Sequence, residues 1–184
     1  VIASVVLYRN RWHIRYFCHL IKARRRQRKY EQLHGQDYLY DAFVSYNKDD
    51  RQWVIQRLLT LEKDGDIRLC LHERDFMVGQ EIIDNVIESI EQSRKTILVL
   101  SNSFAASQWC QFEMAMAQHK LFDDNMDVIV LVMLEEISSD NMTPRLHSLL
   151  TTKTYIQWTS DTQGQKLFWR RLREAIRGST YPIN

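Results

Sequence analysis

From residue 40 onward, apolar positions fall in two alternating kinds of segment. The first kind is a short run with little or no polar interruption. Residues 40–46 (YDAFVSY), 67–71, 96–100 (TILVL), 128–134 (VIVLVML) and 155–158 are rich in β-branched and aromatic side chains and read as strands. The run TILVL has no polar alternation, which predicts cover on both of its faces, and VIVLVML is again continuously apolar. The second kind repeats its apolar residues every three or four positions, as one face of a helix does. In 49–63 these are Trp53, Val54, Leu58 and Leu61; in 80–92 they are Ile82, Ile83, Val86, Ile87 and Ile90. Residues 109–122 form a third such segment, with Ser107 as its candidate cap. Residues 143–150 form a short fourth. The last, 165–177, carries Leu167, Phe168, Leu172, Ala175 and Ile176. Gly65 and Gly178 stand where the first and last helices should stop.

Strands that alternate with helices imply βαβ units, hence a parallel sheet with helices on both faces. Five such strands predict an α/β, flavodoxin-like doubly wound fold, whose functional surface forms at the C-terminal ends of the strands. The familiar occupants of that architecture can be tested by their loops. A phosphate-holding loop needs Gly and hydroxyl residues after the first strand, but residues 47–51 are NKDDR. A nucleotide P-loop is excluded for the same reason. A phospho-accepting regulator would need Asp after the third strand and Lys after the fifth, where this chain has Ser101-Asn102 and Thr159-Ser160. Asp49 and Asp50 are therefore expected to cap the first helix and favour its positive end.

Composition changes this picture in one respect. The 184 residues are 45% hydrophobic and 26% charged, ordinary for a folded domain. The net charge of +2, however, hides an asymmetry. Residues 1–30 hold nine of the 25 Lys/Arg and no acid, which leaves 16 basic against 23 acidic groups, a net of −7, over 31–184. The leader opens on an apolar stretch, VIASVVLY, that stops at Arg9. Apolar residues before basic ones is the reverse of a signal peptide. It is the order found where a transmembrane helix leaves the membrane on its cytoplasmic side. On that reading residues 1–8 are the end of a truncated span. Residues 9–37 are then a basic juxtamembrane segment in which Arg24, Arg25, Arg26, Arg28 and Lys29 meet anionic lipid. A solvated basic arm is the alternative. Cys18 beside it is either a palmitoylation site or a free thiol. No uninterrupted apolar stretch in the chain is long enough to span a bilayer by itself.

Metal and nucleophile patterns are missing. The six histidines and three cysteines form no His-x-x-x-His or Cys-x-x-Cys pairing, and no Gly-x-Ser-x-Gly elbow occurs. Three cysteines without regular spacing make no disulfide framework. Cys70 in a strand and Cys110 at a helix start are expected to be packed thiols.

Three stretches resemble the sequence boxes of the TIR domain: YDAFVSYNKDD at 40–50, LCLHERDFMVGQ at 69–80, and Phe168-Trp169. Between them, ESIEQSRKTILVLSNSFAASQWCQFE at 88–113 is similar to the toll-like receptor subclass. The resemblance covers about 40–178 and implies a TIR domain over 38–178, with 179–184 as a tail. It also implies a single-pass receptor in the plasma membrane or an endosome, with this part on the cytoplasmic side. Its function would be innate-immune signalling by dimerisation and by recruitment of cytosolic TIR-containing adaptors, with no cofactor and no metal. Arg74, Asp75, Phe76, Met77, Val78, Gly79 and Gln80 would be the protruding contact loop. In it Arg74 and Asp75 would supply charge for partner choice and Phe76 an anchor, Met77 and Val78 an exposed apolar tip, and Gly79 a tight turn. Asp41, Ala42, Phe43, Val44, Ser45, Tyr46, Phe168 and Trp169 would be structural. Most members have Pro where this chain has Val78, so the departure bears on which adaptor is chosen.

The resemblance also carries an enzymatic alternative. Some TIR domains hydrolyse NAD with a Glu in a Trp-x-x-x-Glu setting, and Trp109-Cys-Gln-Phe-Glu113 is similar to it. A carboxylate could stabilise an oxocarbenium-like ribosyl centre. Nucleic-acid binding is disfavoured by the net charge of −7 outside the leader.

Overall fold

A computed structural model describes residues 38–63, 67–124 and 128–177. Five parallel strands lie in the order β2-β1-β3-β4-β5: β1 (Tyr40–Ser45), β2 (Leu69–Leu71), β3 (Ser93–Leu100), β4 (Ile129–Met133) and β5 (Tyr155–Gln157). Connections run outward from β1 in both directions, which is the doubly wound topology.

The unbroken apolar runs are explained by two-sided burial. Along β3, Ile97 and Val99 face one core while Leu98 and Leu100 face another; on β4, Val130 and Val132 join the first and Ile129 and Leu131 the second. In β1, Ala42 and Val44 enter the first core and Phe43 a third cluster. The first face is covered by α1 (the helical stretch 48–63), through Val54, Leu58 and Leu61, and by α7 (Thr162–Arg177), through Phe168, Leu172 and Ile176. The opposite face is covered by α3 (Ile82–Glu91), α5 (Gln108–Asp124) and α6 (Pro144–Thr152). Each large apolar side chain sealed this way contributes about 1.5–3 kcal/mol.

Local departures have local causes. Asn47, not Asp49 or Asp50, caps α1: its side chain accepts from Asp49 N–H at 3.0 Å, leaving both acids in the first turn. Asp50 instead accepts from the Ser101 hydroxyl and ties α1 to the end of β3. Within α1, Val54–Leu58 is wound as a π-helix. β2 is shorter than the apolar run suggests, beginning at Leu69, and β3 is longer, because Ser93–Lys95 pair beside Tyr40–Ala42. Two short helices interrupt segments expected to be loops: α2 (His72–Asp75) and α4 (Asn102–Ala106), the latter capped by Ser101, whose oxygen accepts from Phe104 N–H at 3.0 Å. Ser107 caps α5 as expected, accepting from Cys110 N–H at 3.3 Å. Gly65, Gly178, the leader with Arg24, Arg25, Arg26, Arg28 and Lys29, and the tail 179–184 lie outside the described residues. Among the described residues no helix is long and apolar enough to cross a membrane.

Candidate functional site

The segment from β2 to α3 is built in two parts, a tied base and a bare tip. At the base, Asp75 Oδ2 accepts from Leu71 N–H at 2.8 Å, holding α2 against the strand it leaves. Arg74 Nε donates to Asp75 Oδ1 at 3.0 Å, and Arg74 Nη1 donates to Glu62 Oε2 at 2.7 Å. Arg74 Nη2 donates to Glu62 Oε1 at 3.0 Å and to Leu69 O. Its hydrogen bonds to Glu62 and Asp75 hold the guanidinium above its ordinary pKa. Glu62 Oε1 also accepts from Leu69 N–H at 2.9 Å. The two charges expected to choose partners are thus spent on joining α1, β2 and α2. Phe76 anchors the base, its ring stacked on Phe43 at 6.4 Å between centroids and edge-on to His72 at 6.0 Å. Burial lowers the His72 pKa, against the pull of Glu73.

Beyond Phe76 the chain turns into solvent. Met77 is 66% exposed and Val78 100%. Gln80 N–H donates to Met77 O at 3.3 Å and Gly79 has φ of +87°. This is the pattern of a type II β-turn, in which the third residue needs positive φ and Gly meets that at no steric cost. The second position, where Pro is favoured, is Val78. Gln80 Nε2 donates to Glu88 Oε2 at 3.0 Å. Sequence reasoning missed the part played by two residues here. Ile82, expected on the apolar face of this helix, stands at the first turn of α3 and is 62% exposed. Asn85, buried in α3, hydrogen-bonds both backbone groups of Met77. Its signal was a polar residue at an inward helical position, between Ile82-Ile83 and Val86-Ile87.

A second cluster lies under the C-terminal end of β1. Glu113 on α5 is 1% exposed. Its Oε2 accepts from the Ser45 hydroxyl and its Oε1 from Trp109 Nε1–H at 2.9 Å. Burial pushes its carboxyl up to about 7, against the opposing effect of those two hydrogen bonds. Tyr46 beside it is buried, its ring 4.5 Å from that of His72, and burial raises its hydroxyl to about 12. With both oxygens bonded to the chain's own donors, this carboxylate is arranged as a cross-link between β1 and α5.

The other boxes are structural. Asp41 accepts from Arg68 N–H at 2.8 Å and from Arg94 Nη2 at 3.1 Å, joining the N-terminal ends of β1, β2 and β3. Ala42, Phe43, Val44 and Ser45 are fully buried. Phe168 is buried and Trp169 partly so, in an aromatic cluster with Trp53 and Trp158 whose neighbouring rings lie 5.0–6.5 Å apart. Cys70 and Cys110 are buried, and burial raises their thiols to about 11 and about 12, so both are packed rather than reactive. No group of three His, Cys, Asp or Glu that could hold a metal occurs among the described residues.

Known proteins match this arrangement. The family profile described as TIR domain matches residues 39–182. The chain is 42% identical over 172 residues to Toll-like receptor 2 of Capra hircus, covering 90% of this chain and 21% of that protein. It is 40% identical over 171 residues to Toll-like receptor 2 of Mus musculus, with the same coverage. It thus spans about a fifth of the length of these curated relatives. Among solved structures, the TIR domain of the Toll-related receptor TRR-2 from Hydra magnipapillata superposes with a TM-score of 0.62 at 25% identity, over 76% of this chain and 99% of that one. A metazoan TIR-STING receptor from C. gigas, solved with 2',3'-cGAMP, has a TM-score of 0.60 at 28% identity, over 81% of this chain and 43% of that one.

Proposed function

The chain belongs to the TIR domain family, and from that premise we propose that it is the cytoplasmic signalling domain of a toll-like innate immune receptor. It acts by contact: it dimerises and recruits cytosolic TIR-containing adaptors. The observation that carries this reading is the turn at Met77 and Val78. Two apolar side chains stand in water at the end of a segment whose Arg74 and Asp75 are hydrogen-bonded to the chain's own groups. Exposed apolar residues on a rigid base are what a partner's pocket reads. The test is co-precipitation of TIR-domain adaptors by Met77→Asp and Val78→Asp variants.

The leader completes the proposal. The basic residues between Arg9 and Lys29 meet anionic lipid and hold the domain at the cytoplasmic leaflet of the plasma membrane or an endosome.

NAD hydrolysis through Glu113 and Trp109 is the second reading, favoured by the Trp-x-x-x-Glu spacing alone. Incubating purified chain with NAD at high protein concentration decides it. Contact signalling expects no turnover. Turnover that Glu113→Ala abolishes at unchanged melting temperature would replace it.

A further inference from the structure

We infer that Asn85 is the positioning residue of the turn, the side chain that sets where Met77 and Val78 stand; the inference rests on reading this turn as a TIR–TIR contact. Asn85 is 6% exposed and lies one helical turn after Ile82. Its Oδ1 accepts from Met77 N–H at 2.8 Å and its Nδ2 donates to Met77 O at 3.1 Å. One planar amide thus holds both backbone groups of a single residue, as a neighbouring strand would. Asn alone suits the task. Asp lacks the donor, Leu lacks both groups, and Gln places them one methylene too far.

The consequence is specific to the turn. Val78 is 100% exposed, so its side chain has no packing to fix it. Met77 keeps its side chain outside while its backbone is held from within. The exposed pair is therefore located through Met77's backbone, by Asn85 on one side and by the Gln80–Met77 bond that closes the turn on the other. Ile82, three residues before Asn85 on the same helix, is a further exposed apolar side chain held in a fixed relation to that amide. A partner pocket that reads Met77, Val78 and Ile82 together needs that fixed spacing, because ordering a loose turn on binding subtracts from affinity.

A merely structural Asn85 would cost stability and nothing else, so the test separates the two roles. It uses the full 184-residue chain and a labelled TIR-domain adaptor as probe. Asn85→Ala is expected to weaken adaptor binding about tenfold and to speed hydrogen exchange at the Met77 and Gln80 amides. Adding Val78→Pro stiffens the turn from its own second position. It should recover adaptor binding to within about threefold of Val78→Pro alone, without recovering the full melting temperature. Should Asn85→Ala not fold, Asn85→Asp, which keeps the acceptor for Met77 N–H, is read in the same way. Wild-type binding and exchange in the Asn85 variant would overturn the inference, and so would a loss that Val78→Pro leaves unrepaired. Failure of the docking reading is recognised separately: Val78→Asp would then bind like wild type, or the wild-type chain would bind no adaptor, and this inference would fall with it.

Discussion

The hydroxyl of Ser45, the last residue of β1, donates to Oε2 of Glu113 inside the domain, joining positions 68 residues apart. Trp109 Nε1–H meets the other carboxylate oxygen at 2.9 Å. The bond fastens α5 to the strand on which the sheet is centred, at the price of a buried acid.

That acid makes stability depend on pH. In the unfolded chain the Glu113 carboxyl titrates near 4.5; in the fold, burial moves it to about 7. Folding therefore takes up a proton between these values. The contribution is complete below about 4.5 and is lost as pH rises to about 7, a change on the order of 3 kcal/mol. Glu113→Gln keeps an acceptor for Trp109 and removes the charge. Melting curves should show it gaining on wild type between pH 5 and pH 8. An equal difference at both would contradict the burial argument.

Asp75 should behave as part of the fold. Its carboxylate accepts from Leu71 N–H and pairs with Arg74. Asp75→Ala leaves a strand-end donor unpaired and should cost about 1–3 kcal/mol. Any loss of adaptor binding should then come with a lower melting temperature, which differential scanning fluorimetry would show.

Phe168→Ala removes the centre of the Trp53, Trp158 and Trp169 cluster. The expected cost is about 3–5 kcal/mol. Chemical denaturation should register it in full, and signalling should fall in step with the folded fraction.

Replacing Arg24, Arg25, Arg26, Arg28 and Lys29 with Gln should weaken binding to vesicles containing phosphatidylserine. At about 1 kcal/mol per basic residue near an anionic surface, the five together are worth more than a hundredfold, and less at high salt. Co-sedimentation of the full chain with and without the changes measures it.

The sheet was readable chiefly from its central strands, whose continuously apolar runs reflect burial on both faces, as with Ile97–Val99 and Leu98–Leu100 on opposite cores; the edge strand β5 is exposed at Tyr155 and Gln157 and was legible only from its aromatic and β-branched residues. The exposed tip was readable through the resemblance to the TIR domain; by composition alone Met77 and Val78 would pass for a plain connection between strand and helix. What composition could not tell was how charged residues are spent. Arg74 read as a free contact charge because its partner Glu62 reaches it only when α1 packs beside β2, and Asp75 because its partner, the backbone N–H of Leu71, leaves no mark in the side-chain pattern. Asn85 showed itself only as a polar residue on an inward helical face; what it holds was not legible, as its partners are backbone atoms. Asn47 was passed over as a cap because two acids beside it offered a commoner choice.

Adaptor co-precipitation by the full chain carrying Met77→Asp and Val78→Asp, read beside a melting curve, bears most directly on the turn as the contact surface. Both side chains are largely or wholly exposed, so stability should stay within about 0.5 kcal/mol of wild type. Binding should fall more than about tenfold, the loss expected when a contact worth 2 kcal/mol or more is removed. Recruitment at the wild-type level by this folded double variant would contradict the account and place the contact elsewhere on the domain.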